Sequence, residues 1–198
     1  MFVITADQQG SRATEDRVPA LLAGLPTVPG VVRGAERTVG DEVQAVLDDA
    51  DGVVELVLHL LRLGEWSVGI GAGPVEEPLP ATSREGRGEA FVLARAAVEA
   101  AKSRNRSVPL AVRGVGEAAA RDAEAVLTLV GAIAARRSEA GWQAVDEAVA
   151  AGDAGQEAVA RRLGVSQQAV SQRLRAALWA EELAARPAAA RLLTAAAG

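Results

Sequence analysis

Two sets of residues in this 198-residue chain have side chains suited to chemistry. The first set is acidic: Asp7 closes the apolar run "FVITAD", while Asp41 and Glu42 occupy a turn within "TVGDEVQ". Oxygen donors that converge from two such places can hold Mg2+, and Mg2+ can clamp the phosphates of a nucleotide. The second set lies in "QEAVARRLGVSQQAVSQRLRAALW". There Gln167, Gln168, Ser171, Gln172 and Arg175 share the outer face of a helix near its amino terminus. Glutamine can pair bidentately with adenine, arginine with guanine or phosphate, and serine with base or backbone. Arg161, Arg162 and Arg173 are placed for phosphates, so affinity for double-stranded DNA would fall steeply with salt.

Each set needs elements to position it. Short apolar and alternating runs predict strands at 2–6, 30–39, 42–47, 66–73 and 108–114. Helical periodicity predicts helices at 14–25, capped by Thr14, at 49–63, at 89–102 and at 116–141. A strand, a helix, a hairpin and then helix–strand units suggest a split β-α-β sheet, which brings Asp7 beside the hairpin carrying Asp41 and Glu42. Gly40 suits the first central position of a type II′ turn, so the hairpin also has a purely structural explanation. Gly69, Gly71 and Gly73 share one strand face and are expected to receive a helix; as a dinucleotide fingerprint the G-x-G-x-G spacing is wrong, and "PVEEPLPATS" follows where a helix should begin. His59, the only histidine, falls on a polar stripe with Glu55 and Arg62 and is read as solvated. In the carboxy-terminal segment, Gly164 permits a tight turn, Ser166 caps the next helix, and Val165 with Val170 forms a hydrophobic staple. Val170, Leu174 and Leu178 are expected to form the buried stripe of that helix, and Trp142 to anchor the core behind it.

"ADQQGS", "RTVGDEVQAVLDDADGVVELVLHLL", "WSVGIGAGPV" and "GEAFVLARAA" resemble the palm domains of class III nucleotide cyclases and diguanylate cyclases, and most of all small bacterial SatD-like proteins. The resemblance spans roughly residues 2–102. It implies a ferredoxin-like palm in which Asp7 and Asp41 bind metal. It also implies ligand contacts from Arg37, where cyclases carry a purine-selecting lysine, and from Arg95, near the place of a phosphate-stabilising arginine. Val92 or Leu93 stands where the family has asparagine, and Arg95 is one residue off the family spacing, which argues against turnover. Residues 138–178 resemble the helix-turn-helix of sigma factor region four and of LuxR-type regulators.

The expected organisation is α+β: a cyclase-like palm over 1–115, a linking helix over 116–141 and an all-α helix-turn-helix domain over 142–198. The expected function is sequence-specific transcription regulation, with the palm dimerising or sensing a nucleotide, and no enzymatic activity. The alternatives are a divergent cyclase and a module that binds RNA polymerase. A single reading helix buries little surface, so a homodimer is expected, with 49–63 and the linking helix as interface candidates. Residues 150–198 carry six arginines against four acids, a balance of +2 that leaves −7 for the rest. The chain has no cysteine, no signal-like amino terminus and no apolar run of membrane-spanning length, which points to a cytoplasmic protein.

Overall fold

The computed structural model describes residues 1–11 and 13–198. The chain is an α+β protein whose described residues form five strands, β1 (Phe2–Gln8), β2 (Val31–Arg37), β3 (Glu42–Leu47), β4 (Trp66–Ala72) and β5 (Leu110–Gly114). Its helices are α1 (Val18–Gly24), α2 (Ala50–Leu63), α3 (Glu89–Ala101) and α4 (Glu117–Ala135), then α5 (Glu139–Ala151), α6 (Gly155–Leu163), α7 (Gln167–Ala176) and α8 (Trp179–Ala196).

The strands form one mixed sheet in the order β2-β3-β1-β4-β5. β3 is antiparallel to both β1 and β2, β4 is antiparallel to β1, and β5 is parallel to β4. β1 and β2 therefore point the same way with β3 between them, and the register sets Asp7 between Glu42 and Ser67. The hairpin closes with a bond from Glu42 N–H to the Val39 carbonyl at 3.1 Å. Gly40 has φ +63°. Asp41 is not among the residues with positive φ, as a type II′ turn requires.

Alternation along β1 decides what covers each face of the sheet. Phe2, Ile4 and Ala6 join the main core with α2, α4 and α8. Val3 faces the other way and packs with Val46 onto Ala90 and Ala94 of α3. There the sheet and helix backbones touch: a Cβ on Gly69 would run into Ala94 and Val98, and one on Gly71 into Ala90 and Ala94. The "VGIGAG" glycines thus make room for α3 rather than for a ligand.

Several expected boundaries move. α1 starts at Val18, with Pro19 in its first turn, where a missing N–H is tolerated. Thr14 does not cap it; its hydroxyl instead accepts a bond from Gln8 Nε2 at 3.0 Å. The apolar side of α2, including Val53, Leu56, Val57 and Leu60, is buried in the core, so this helix does not present the free face a dimer interface would use. The helix expected at 116–141 is two helices. α4 ends at Ala135, and Ser138 opens α5 by accepting the Gly141 N–H at 3.2 Å.

α4 also does not lead away from the sheet, because its Ala120, Ala123, Leu127 and Val130 are part of the main core. Val159, Ala160 and Val170 form a cluster of their own beyond residue 142, but that cluster does not extend through α8. α8 returns to the sheet and adds Ala189, Ala190, Leu193 and Ala196 to the same cluster. Helices α5, α6 and α7 therefore sit between two helices that share one core. Among the described residues no helix is long and apolar enough to cross a membrane.

Candidate functional site

α6 and α7 are joined by three residues, and local chemistry fixes the angle between them. Gly164 takes φ +64° with nothing within 4 Å of where a Cβ would sit, so backbone conformation alone selects glycine here. Ser166 Oγ accepts the Ala169 N–H at 3.1 Å and starts α7. Beneath the turn, Val159, Ala160 and Val170 are buried, with Leu163, Val165 and Leu174 packed against them. Leu178 does not extend this stripe. It lies past the end of α7 at φ +51° and is 40% exposed.

On the opposite side, Gln167, Gln168, Gln172 and Arg175 are exposed, and Ser171 and Arg173 are half-buried. No acidic residue lies in the first turn of α7. α7 itself carries no acidic residue, and Gln167 and Gln168 in its first turn sit at the positive end of the helix dipole, while Arg173 and Arg175 lie in its last turn. Arg161 and Arg162 flank this surface from α6; Arg162 also reaches Glu147 of α5 at 3.3 Å. Trp142 is half-buried rather than a core anchor, and two arginines cover its ring: Arg62 at 3.9 Å and Arg137 at 4.3 Å from the centroid.

The acidic residues face a second feature, a cleft of about 900 Å3 beyond the end of β1. Asp7 and Asp41 both line it, as the sheet order requires. Burial pushes the Asp7 carboxyl above its ordinary value, and Asp41 adds to that, while Lys102 opposes it. Lys102 Nζ lies 2.8 Å from Asp7 and 2.7 Å from Glu99. Burial disfavours its charge, yet these two carboxylates hold its ammonium above the ordinary value.

Gln8 is structural. Its amide donates to Thr14 Oγ1 and to the Glu15 carbonyl and accepts the Arg17 N–H, pinning the loop that forms one wall of the cleft. Glu42, next to Asp41, accepts a bond from the Thr38 hydroxyl at 2.6 Å. Among the described residues no group of three or more His, Cys, Asp or Glu is arranged to hold a metal ion. Two carboxylates alone suit Mg2+ only when a ligand's phosphates and water complete its octahedron.

Neither ligand arginine implied by the cyclase resemblance lines this cleft. Arg37 lies on β2 with its guanidinium bound to both oxygens of Asp16, at 2.5 and 2.6 Å. Arg95 is exposed on α3. In their place the loop after α3, "KSRNRS", brings Lys102, Ser103, Arg104 and Ser107 to the cleft. Arg106 also borders it but donates to the Ala100 and Leu110 carbonyls and to Glu124. The signal for this loop was in the sequence: Lys102 is the only lysine in a chain whose other cationic residues are all arginine, apart from its single histidine. The cleft thus combines two carboxylates, a lysine, an arginine and serine hydroxyls, groups that together can hold a metal-bound phosphate.

No family model matches the chain, and neither does any curated protein or solved structure.

Proposed function

We propose that this protein is a sequence-specific DNA-binding transcription regulator. The observation that carries the reading is the exposed, acid-free face of α7, with amides over its first two turns and Arg175 in its last, held by a three-residue turn on a packed apolar base. In this reading α6 and α7 are a helix-turn-helix of the sigma region four or LuxR type, and α7 enters the major groove. Gln167, Gln168, Ser171, Gln172 and Arg175 meet base edges, while Arg161, Arg162 and Arg173 meet phosphates. A homodimer supplies the second reading helix.

The test is selection of bound duplexes from fragmented genomic DNA, followed by fluorescence anisotropy across a salt series. Tight binding to a preferred duplex, weakened by salt and by Arg175→Ala, is expected. Binding to RNA polymerase with no affinity for any duplex at low salt would instead favour the polymerase-interacting module.

A second reading concerns the sheet half, and the polar cleft favours it. As a SatD-like palm of ferredoxin-like topology, it senses a nucleotide: Asp7 and Asp41 hold Mg2+, and Lys102 and Arg104 hold phosphate. The cleft binds its ligand without turnover in this reading, because Arg95 lies away from it. Calorimetry with the Mg2+ complexes of ATP and GTP tests this, with Asp7→Ala as the control. Magnesium-dependent consumption of either nucleotide, abolished by Asp41→Ala, would favour a divergent cyclase.

A further inference from the structure

The unit α5–α7 meets the sheet half at a joint of charged and aromatic side chains. Arg62, near the end of α2, binds both oxygens of Asp146 on α5, at 2.6 and 2.7 Å, and covers the Trp142 ring. Arg137, just beyond α4, has a fully buried side chain and lies between two indoles, with Trp142 at 4.3 Å and Trp179 at 5.8 Å. It donates to the carbonyl of Ala177, at the end of α7, and to Glu182 of α8 at 2.7 Å.

The helix ends that build this joint also build the cleft. Leu61 and Gly64 line the cleft from α2, and Gly131 and Ala135 from α4. Contact between the two helices is close there: a Cβ on Gly131 would lie 3.0 Å from Leu61 Cδ1 and 3.0 Å from Val108 Cγ1. Leu61 precedes Arg62 directly, so a displacement of one moves the other.

We infer that the ends of α2 and α4 couple the cleft to the reading helix, so that a phosphate-bearing ligand in the cleft resets the orientation of α7 through Arg62 and Arg137. This rests on the reading of the cleft as a ligand site. Among the described residues, buried Arg137 Nη1 has no hydrogen-bond partner in the protein, so this cation is held through Ala177 and Glu182 and by the two indoles. Two packed arrangements biased from two places are what coupling between sites requires.

The full chain, labelled with fluorotryptophan, tests this. Gly131→Ala presses on Leu61 without any ligand, and its expected effects are shifted Trp142 and Trp179 fluorine resonances and a duplex affinity changed by about fivefold or more. Gly131→Val exerts the same push more strongly, and circular dichroism checks that both variants remain folded. In the parent chain the Mg2+ complex of GTP or ATP should move the same two resonances, and in Arg62→Gln it should no longer change duplex affinity. If nucleotides give no heat but Gly131→Ala moves the resonances, the cleft reading fails and the coupling stands. If Gly131→Ala and Gly131→Val both fold and leave the resonances and the affinity unchanged, the coupling is wrong, even where calorimetry shows nucleotide bound.

Discussion

Arg175 and Gln172 are exposed on α7, a helix with no acidic residue of its own, so both can reach a partner. Truncating either to alanine should cost about 1–3 kcal/mol against the preferred duplex and relax the preference at one base position. Arg161→Ala should weaken binding to all duplexes alike and flatten the salt dependence, as anisotropy on matched and mismatched duplexes would show. Glu124 carries a prediction of a different kind. It accepts the Val112 N–H at 2.8 Å and pairs with Arg106 and Arg113, so it occupies the open edge of β5 where another strand would otherwise add. Burial alone would raise its carboxyl, but these three donors outweigh burial and hold it below its ordinary value of 4.5. A lowered folded-state value stabilises the fold above that pH and loses its effect as pH falls through the lowered value. In urea unfolding, Glu124→Gln should therefore cost about 1–3 kcal/mol near neutral pH, with a difference from the parent that shrinks in acid. The outward face of α7 was legible in the sequence because it depends on spacing within one helix. The Asp7–Lys102 pair was not, because those residues meet only after β4 and α3 have been placed between them.

The contact of α3 with the sheet depends on having no side chains at Gly69 and Gly71. Gly71→Ala would push the α3 backbone off β4, and overpacking of this kind typically costs about 1–3 kcal/mol. Because α3 also carries Lys102 at its end, the variant should lose nucleotide binding along with thermal stability. Calorimetry and a melting curve on the same sample would show both losses. The strands were readable from alternation, and α2 from its periodicity. The division of 116–141 was hidden because alanine-rich helical spacing runs on through Arg136 and Arg137. Its one local sign was Ser138, a good capping residue ahead of Glu139. Leu178 misled in the opposite way. Its four-residue spacing from Leu174 continues the stripe, but the backbone turns left-handed there. Periodicity reports which residues could share a face, not where the chain stops being helical.

At the scale of the whole chain, the return of α8 could not be read from the sequence. Its apolar residues are mostly alanines, which suit a close approach to α4 and α2 but point to no particular partner. The layout has a consequence for engineering. Arg137 and Trp179 flank residues 138–178 and lie close together, with the guanidinium 5.8 Å from the ring centroid. Helices α5, α6 and α7 are thus spliced between two chain positions whose side chains meet. Excising 138–178 and bridging the gap with a short glycine-serine tether should leave a shortened chain that melts cooperatively and still takes up nucleotide. Loss of a cooperative melt would mean that the spliced helices and the rest of the chain are a single folding unit.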